Sequence, residues 1–388
     1  MSELLTSRWS ETKEALLEGL QGTKKSVMGV TLENTKKYLQ ESATAGATSA
    51  GNVATLNRVI LPVIRRVMPT VIANELVGVQ PMTGPVGQIH TLRVRYADTS
   101  SNAGVTAGEE ALSPFKIAEG YSADSTGRAV STATLEGQAG KRMSIQILKQ
   151  TVEAKTRKLS ARWTFEAAQD AQAQQGIDIE AEVMAALAQE ITAEIDQEIL
   201  ASLLSLAGSA VETFDQNAVS GTATFVGDEH AALAVQINRV SNLIAQRTRR
   251  GAGNWAVVSP YALTILQSAT TSAFARTTEG TFEAPTNTKF VGTLNNAMKI
   301  YVNTYATDNT DILIGYKGSS ESDAAAFYCP YIPLMSSGVV LDPATFEPVV
   351  SFMTRYGYVE LTNTASSLGN AADYLGTVAV TTANLKFA

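Results

Sequence analysis

Apolar residues recur every four positions through the middle of the chain, at Val183, Leu187, Ile191, Ile195, Ile199 and Leu203. Met184, Leu200, Leu204 and Leu206 widen the stripe, so the pattern predicts one amphipathic helix over Asp178–Ala207. Asp178 offers a capping carboxylate, and Glu180 and Glu182 stand in the first turn, where the helix dipole favours anions. Neither Gly nor Pro interrupts the segment, which makes a rod about 45 Å long. Spacings of four, rather than alternating three and four, set it apart from a coiled coil. Its other face carries Glu190, Glu194 and Glu198, an i,i+4 row of like charges with no lysine between them. Such a row repels itself, so it predicts a basic surface laid against it.

The basic stripes lie on stretches with a period of two. Arg93 and Arg95 alternate with Leu92, Val94 and Tyr96; further on, Met143, Ile145 and Ile147 alternate, followed by Lys155 and Arg157 between Ala154 and Thr156. These predict two long strands, Gln88–Asp98 and Lys141–Trp163, of a single extended hairpin. Residues 99–138 between them are rich in Ala, Gly, Ser and Thr and too long for a passive connector. They read as a surface flap or, more sharply, as an arm that a neighbouring subunit orders.

Elsewhere the pattern predicts helices at Glu11–Leu20, Leu32–Leu39, Asn57–Met68, Ala231–Arg250 and Pro260–Ser268, with a linker at 42–55. Strands are expected at Trp255–Val258, Lys299–Val302, Asp311–Tyr316, Ala324–Tyr331, Val349–Leu361 and Gly376–Thr381, with 269–297 as loop. Helices segregated from mostly antiparallel strands make the fold class α+β.

Charge sharpens this picture. Residues 1–162 hold 20 bases and 14 acids, 163–238 hold 13 acids and no base, and the remainder is balanced, for a net charge of −7. That overall sign is wrong for a protein whose main task is gripping nucleic acid. A single cysteine, Cys329, excludes a disulfide framework, and two histidines, His90 and His230, leave metal and general-base chemistry short of groups. No Walker loop, HExxH, GxGxxG, GxSxG or CxxC occurs. No catalytic, cofactor-binding or metal-binding residue is therefore assigned, and no cofactor is expected. No run reaches the ~20 apolar residues of a membrane span, which points to a soluble product without a membrane partner.

Several segments together closely resemble the major capsid proteins of T-even-like tailed bacteriophages. They are TVEAKTRKLSARWTFEAAQDAQAQQGIDIEAEVMAALAQEITAEIDQEIL (151–200), RRGAGNWAVVSP (249–260), YKGSSESDAAAFYCPYIPL (316–334) and ATFEPVVSFMTRYGY (344–358), with 71–96 in register. The resemblance implies the Hong Kong 97 phage capsid fold. It divides the chain into an N-terminal arm (1–70), an extended E-loop with its tip at 99–138, and a peripheral domain (71–98 and 139–249) carrying the spine helix at 178–207. An axial domain (250–340) and peripheral strands (341–388) complete it. The implied activity is self-assembly into hexamers, with pentamers as a further option, forming an icosahedral virion shell around packaged double-stranded DNA without sequence-specific binding. Assembly would take place in the host cytoplasm, and the partners would be identical copies with portal, vertex, scaffold and decoration proteins and a prohead protease.

Charge layout and resemblance combine into one expectation: Arg93, Arg95, Lys155 and Arg157 of one subunit meet Glu190, Glu194 and Glu198 of the next. Two departures from the family stand out. Residues 99–138 are too short and featureless for the small domain that T-even proteins insert near the E-loop. The protease context Leu/Ile-x-Glu is met at Leu39-Gln40-Glu41 before Ser42, making 1–41 a candidate propeptide, but also at Leu16-Leu17-Glu18 and Ile117-Ala118-Glu119. The competing reading on the same fold is an encapsulin-type nanocompartment that encloses cargo enzymes.

Overall fold

The computed structural model describes residues 25–34, 72–111, 120–122, 128–136, 140–175, 178–219, 226–248, 250–269, 274–276, 288–307, 310–320, 323–361 and 371–381, less single positions within these spans, together with Trp9, Lys13 and Leu17. In chain order the elements are α1 (Ala73–Leu76), β1 (Gly78–Val79), β2 (Val86–Tyr96), β3 (Met143–Glu153), β4 (Lys155–Arg162), α2 (Phe165–Gln175), α3 (Ile179–Ala207) and β5 (Glu212–Phe214). There follow α4 (Val226–Thr248), β6 (Trp255–Val258), α5 (Pro260–Ser268), β7 (Phe274–Arg276), β8 (Thr288–Leu294), β9 (Met298–Asn303) and β10 (Ile312–Gly315). The last four are β11 (Ala326–Ser336), β12 (Val340–Leu341), β13 (Pro348–Glu360) and β14 (Leu375–Val380). Residues 25–34 are also helical. The fold is α+β.

Helix α3 follows the expected pattern closely. The Asp178 carboxylate accepts the Glu180 N–H (3.1 Å), and Gly208, at φ 71°, ends the helix in a conformation that L side chains rarely adopt. Ile191, Ile195, Ile199 and Leu203 are each 0–1% exposed. The helix packs on β4 and β13 of one sheet and on β10 and β14 of another. Four-residue spacing suits this role, because the stripe slowly winds around the helix and can serve two sheets in succession.

Seven strands form the first sheet, in the order β5-β14-β10-β6-β9-β8-β7. Helices α4 and α5 cover it, with Leu233, Ile237, Val240 and Ile244 of α4 all at 0% exposure. The second sheet runs β1-β11-β13-β12, with β4 on the far side of β13. Strand β11 shifts register between Pro330 and Ile332 and again before Met335, as expected where prolines remove ladder donors. Strands β2 and β3 pair only with each other, at all eleven positions.

Four sequence expectations are corrected. The second hairpin strand, expected over Lys141–Trp163, breaks at Ala154, whose N–H donates to the Pro85 carbonyl (2.9 Å); β3 stays in the hairpin while β4 joins β13. Residues 269–297, expected as loop, contain β7 and β8. The helix expected from Ala231 starts at Val226. The boundary drawn at 340 separates hydrogen-bonded partners: β11 belongs with β13, whereas α4 and β14 belong to the seven-stranded sheet. The expected helices Glu11–Leu20 and Asn57–Met68 lie outside the described residues, apart from Lys13 and Leu17, and that over Leu32–Leu39 is described only to residue 34.

The hairpin tip is not featureless either. Tyr96, Val105, Ala111 and Tyr121 form a small buried cluster, with the Tyr96 and Tyr121 ring centroids 4.5 Å apart. Tyr121 OH donates to the Arg142 carbonyl (2.5 Å), while Asp98 receives the Arg142 N–H (2.9 Å) and guanidinium (3.1 Å). The chain at Glu109 and Ala111 bonds back to Tyr96 and Val94. Much of the tip thus orders itself through its own contacts.

Packing in the seven-stranded sheet is tight enough to be tested at one atom. A Cβ on Gly315 in β10 would fall 2.1 Å from the Trp255 ring, whereas Gly140 has open space around it. Gly315→Ala is expected to lower unfolding free energy by about 1–3 kcal/mol, and Gly140→Ala to stay within about 0.5 kcal/mol, measured by chemical denaturation.

Candidate functional site

The break at Ala154 decides where the expected charge pairs form. It places Lys155 and Arg157 on β4, against α3 of the same chain, while Arg93 and Arg95 remain on the hairpin. Arg157 then reaches three partners. Its Nε donates to Tyr356 OH (2.6 Å), Nη1 to Glu194 (2.7 Å) and Nη2 to Glu198 (2.5 Å). Tyr356 OH also donates to Glu198.

This fork matches guanidinium geometry, with two nitrogens on two carboxylates and the third on a phenol. Burial alone would raise the Glu198 carboxyl, but the hydrogen bonds from Arg157 and Tyr356 outweigh it and hold that carboxyl below its ordinary value. The same contacts raise Arg157 against its own burial. The acidic row therefore does meet a basic partner, as its self-repulsion demanded. For Arg157, however, that partner lies inside one subunit, and the expected inter-subunit pairing of Arg157 with Glu194 and Glu198 is corrected accordingly.

The other expected seam residues are not gathered here. Arg95 is 6% exposed within its own chain. Arg93 pairs through its backbone with Gln146, and its side chain is outside the described residues. Lys155 and Glu190 stand on exposed surface, and neither makes an ion pair among the described residues. Glu41 and Ser42, the candidate cleavage point, lie outside the described residues.

Beside the Arg157 fork, in the angle between hairpin base and body, opens a cleft of about 1070 Å³ lined by Lys149, Lys155, Glu198, Tyr356, Tyr358 and Glu360, among others. Both cations and carboxylates line it, so it has no single sign for attracting a charged ligand. Among the described residues no group of three or more His, Cys, Asp or Glu side chains could hold a metal ion. His230 is buried with Nδ1 2.5 Å from Ser268 Oγ. Burial pushes the Cys329 thiol up to about 12, which leaves it a protonated, unreactive hydrophobe.

Sequence reasoning did not single out the most exposed apolar surface. Pairing aligns Met143 with Tyr96, Ile145 with Val94 and Ile147 with Leu92, so these three β3 side chains share one face of the hairpin. They are 52%, 68% and 65% exposed. Their alternation marks a strand but does not say what covers its apolar face.

The Arg157 fork makes its own prediction. Arg157→Ala is expected to destabilise the subunit by about 1–3 kcal/mol, since it removes the donor to Tyr356 OH and leaves Glu194 and Glu198 as repelling neighbours. Because the Glu198 carboxyl is held low in the fold, its contribution is present at neutral pH and lost as pH falls through the acid range. The gap between wild type and variant should accordingly narrow on acidification, as read by denaturation midpoints at several pH values. Glu194→Lys with Glu198→Lys, which would leave the subunit intact if those residues served only a neighbour, is expected to weaken the subunit itself.

A family profile described as "Major capsid protein Gp23" matches residues 53–380. The major capsid protein of Vibrio phage KVP40 is 30% identical, over 84% of this chain and 81% of its own length. That of Enterobacteria phage T4 is 28% identical, over 82% of this chain and 78% of its own. A solved chain from "The capsid of Myoviridae Phage XM1" covers 80% of this chain and 92% of that one, at 10% identity and a TM-score of 0.47. The nanocompartment reading is not favoured by these relatives. With the profile spanning most of its length, this chain belongs to the Gp23 major capsid protein family, the shell-forming structural proteins of tailed bacteriophages.

Proposed function

We propose that the subunit is a non-catalytic building block whose β2–β3 hairpin is an arm lent to an identical neighbour. One observation carries this reading: Met143, Ile145 and Ile147 form an apolar face standing free on a two-stranded ribbon. A lone ribbon is marginal in water, and a row of exposed isoleucines and methionine would leave it prone to indiscriminate association. Covering that face with the body of a second copy removes both difficulties. At about 25 cal/mol per Å² of apolar surface, such burial outweighs the ~0.2–1 kcal/mol of an exposed ion pair. Lys155 and Glu190 then serve to set register between copies rather than to hold them.

On this reading the hairpin and its tip are the E-loop and α3 is the spine helix. The five-stranded sheet forms the peripheral domain and the seven-stranded sheet the axial one, as in the Hong Kong 97 fold. Hexamers of the chain would tile an icosahedral shell, assembled in the host cytoplasm around double-stranded DNA, with a portal and a prohead protease among its partners. The unreactive Cys329, the buried His230 and the mixed-charge cleft all support a structural rather than a catalytic role.

Ile145→Asp with Ile147→Asp tests the arm. The double variant is expected to keep wild-type circular dichroism and to sediment as small species, with no closed shells by negative-stain electron microscopy where the wild-type chain forms them. Normal shells from the double variant would remove the arm from the account.

A further inference from the structure

Residues 72–82 tie the molecule together. Ile72 meets α3, and the Glu75 carboxylate lies 3.5 Å from both Lys299 Nζ and Tyr301 OH on β9. The Asn74 carbonyl accepts Lys317 Nζ (2.8 Å) just beyond β10. Strand β1 runs parallel to β11, and Gln80 and Met82 continue that pairing onto Tyr328 and Pro330. One short strap thereby joins the long helix and both large sheets.

The strap's contact with α3 is made by an unusual group. Asp196 is 0% exposed, on the inward face of the helix among Ile191, Ile195 and Ile199. Its Oδ1 accepts the Ile72 N–H (2.9 Å), while its buried Oδ2 has no hydrogen-bond partner among the described residues. A single N–H is poor compensation for a carboxylate taken out of water. An aspartate is also not needed to make this bond, since any oxygen acceptor of the same shape would accept the same N–H.

We propose that Asp196 is a proton-operated latch on this strap: protonated, it lets the strap close against α3, and ionised, it loosens the junction between the two sheets. The surroundings fit a group that titrates alone. On β11 it faces Tyr328, fully buried and held in its neutral phenol form. Tyr356 on β13 and Glu194 and Glu198 on the outer face of α3 are committed to Arg157. On the strap, Glu75 is turned to Lys299 and Tyr301. Burial raises the Asp196 carboxyl to about 7, against the lowering effect of the Ile72 N–H.

The sign follows from linkage. With the strap open and Asp196 wetted, its pKa returns to the ordinary carboxylate value near ~4. Between that value and about 7 the open form is ionised while the closed form stays protonated. The closed strap is therefore firmest in acid, loosens by close to tenfold in its opening equilibrium per pH unit across that window, and changes no further above it. The latch acts within one subunit, so it stands or falls apart from the lent arm.

Hydrogen exchange of the 72–76 amides, corrected for the intrinsic pH dependence of exchange and read by mass spectrometry on the full-length chain, tests this. Wild type is expected to lose protection in this segment by about tenfold per unit from pH 5 to 7 and to level off by pH 8. Asp196→Asn, which keeps an oxygen acceptor and cannot ionise, should hold the strap closed across the range. Asp196→Ala, which removes both acceptor and charge, should leave it more open than Asp196→Asn, with no pH dependence of its own. A strap equally protected in wild type at pH 5 and pH 8 would overturn the latch, with no variant needed. So would a pH response that survives unchanged in either variant.

Discussion

Burial of one helical stripe is the constraint on which everything else is arranged. Ile191, Ile195, Ile199 and Leu203 of α3 must be covered, and neither sheet alone covers them. The five-stranded sheet takes one sector through β4 and β13, and the seven-stranded sheet takes another through β10 and β14. The two sheets are consequently held by a common rod. The break at Ala154 follows from the same demand, because β4 must leave the hairpin to lie over α3. Once it does, Arg157 is carried to the acidic row, and the fork it forms relieves the repulsion that the row would otherwise suffer.

Local patterning was legible where one face of an element meets one environment. Helix α3 and its Asp178 cap, α5 with Ser259 before Pro260, and the central strands β6, β10 and β13 could all be read within a residue or two. What escaped was partnership. A run of alternating residues from 141 to 163 carries no mark at Ala154, since both halves have the same period and only the third dimension sends them to different neighbours. Strand β11 runs beyond the expected end at Tyr331 to Ser336, and register shifts there absorb the donors that Pro330 and Pro333 lack. The tip escaped for a related reason: its cluster draws Tyr96, Val105, Ala111 and Tyr121 from positions with no common period.

The same distinction applies to the candidate site. Charge counting along the chain set four basic strand residues against the acidic helix face, and of these the structure joins Arg157 to Glu194 and Glu198. It could not tell whether the pair closes within a subunit or between subunits, because electrostatic complementarity is identical in the two cases. Apolar exposure separates them. The Arg157 fork is satisfied in one chain, while Met143, Ile145 and Ile147 stay more than half exposed in theirs. In a shell protein the unsatisfied surface, not the satisfied one, is the informative one.

The N-terminal helical segment shows how finely that balance between self-sufficiency and association is set. Within residues 25–34, Val27, Met28 and Leu32 are 5%, 2% and 0% exposed, and Asn34 donates through Nδ2 to the carbonyls of Met82 (2.7 Å) and Tyr331 (3.0 Å). Three buried apolar side chains are worth several kcal/mol, comparable with the whole net stability of a domain. If a protease were to cut at Glu41, these non-covalent contacts alone would hold the segment, and its departure would leave the strap carbonyl at Met82 in need of a new donor. A subunit trimmed in this way would be stable only if its neighbours had already buried what the segment leaves behind.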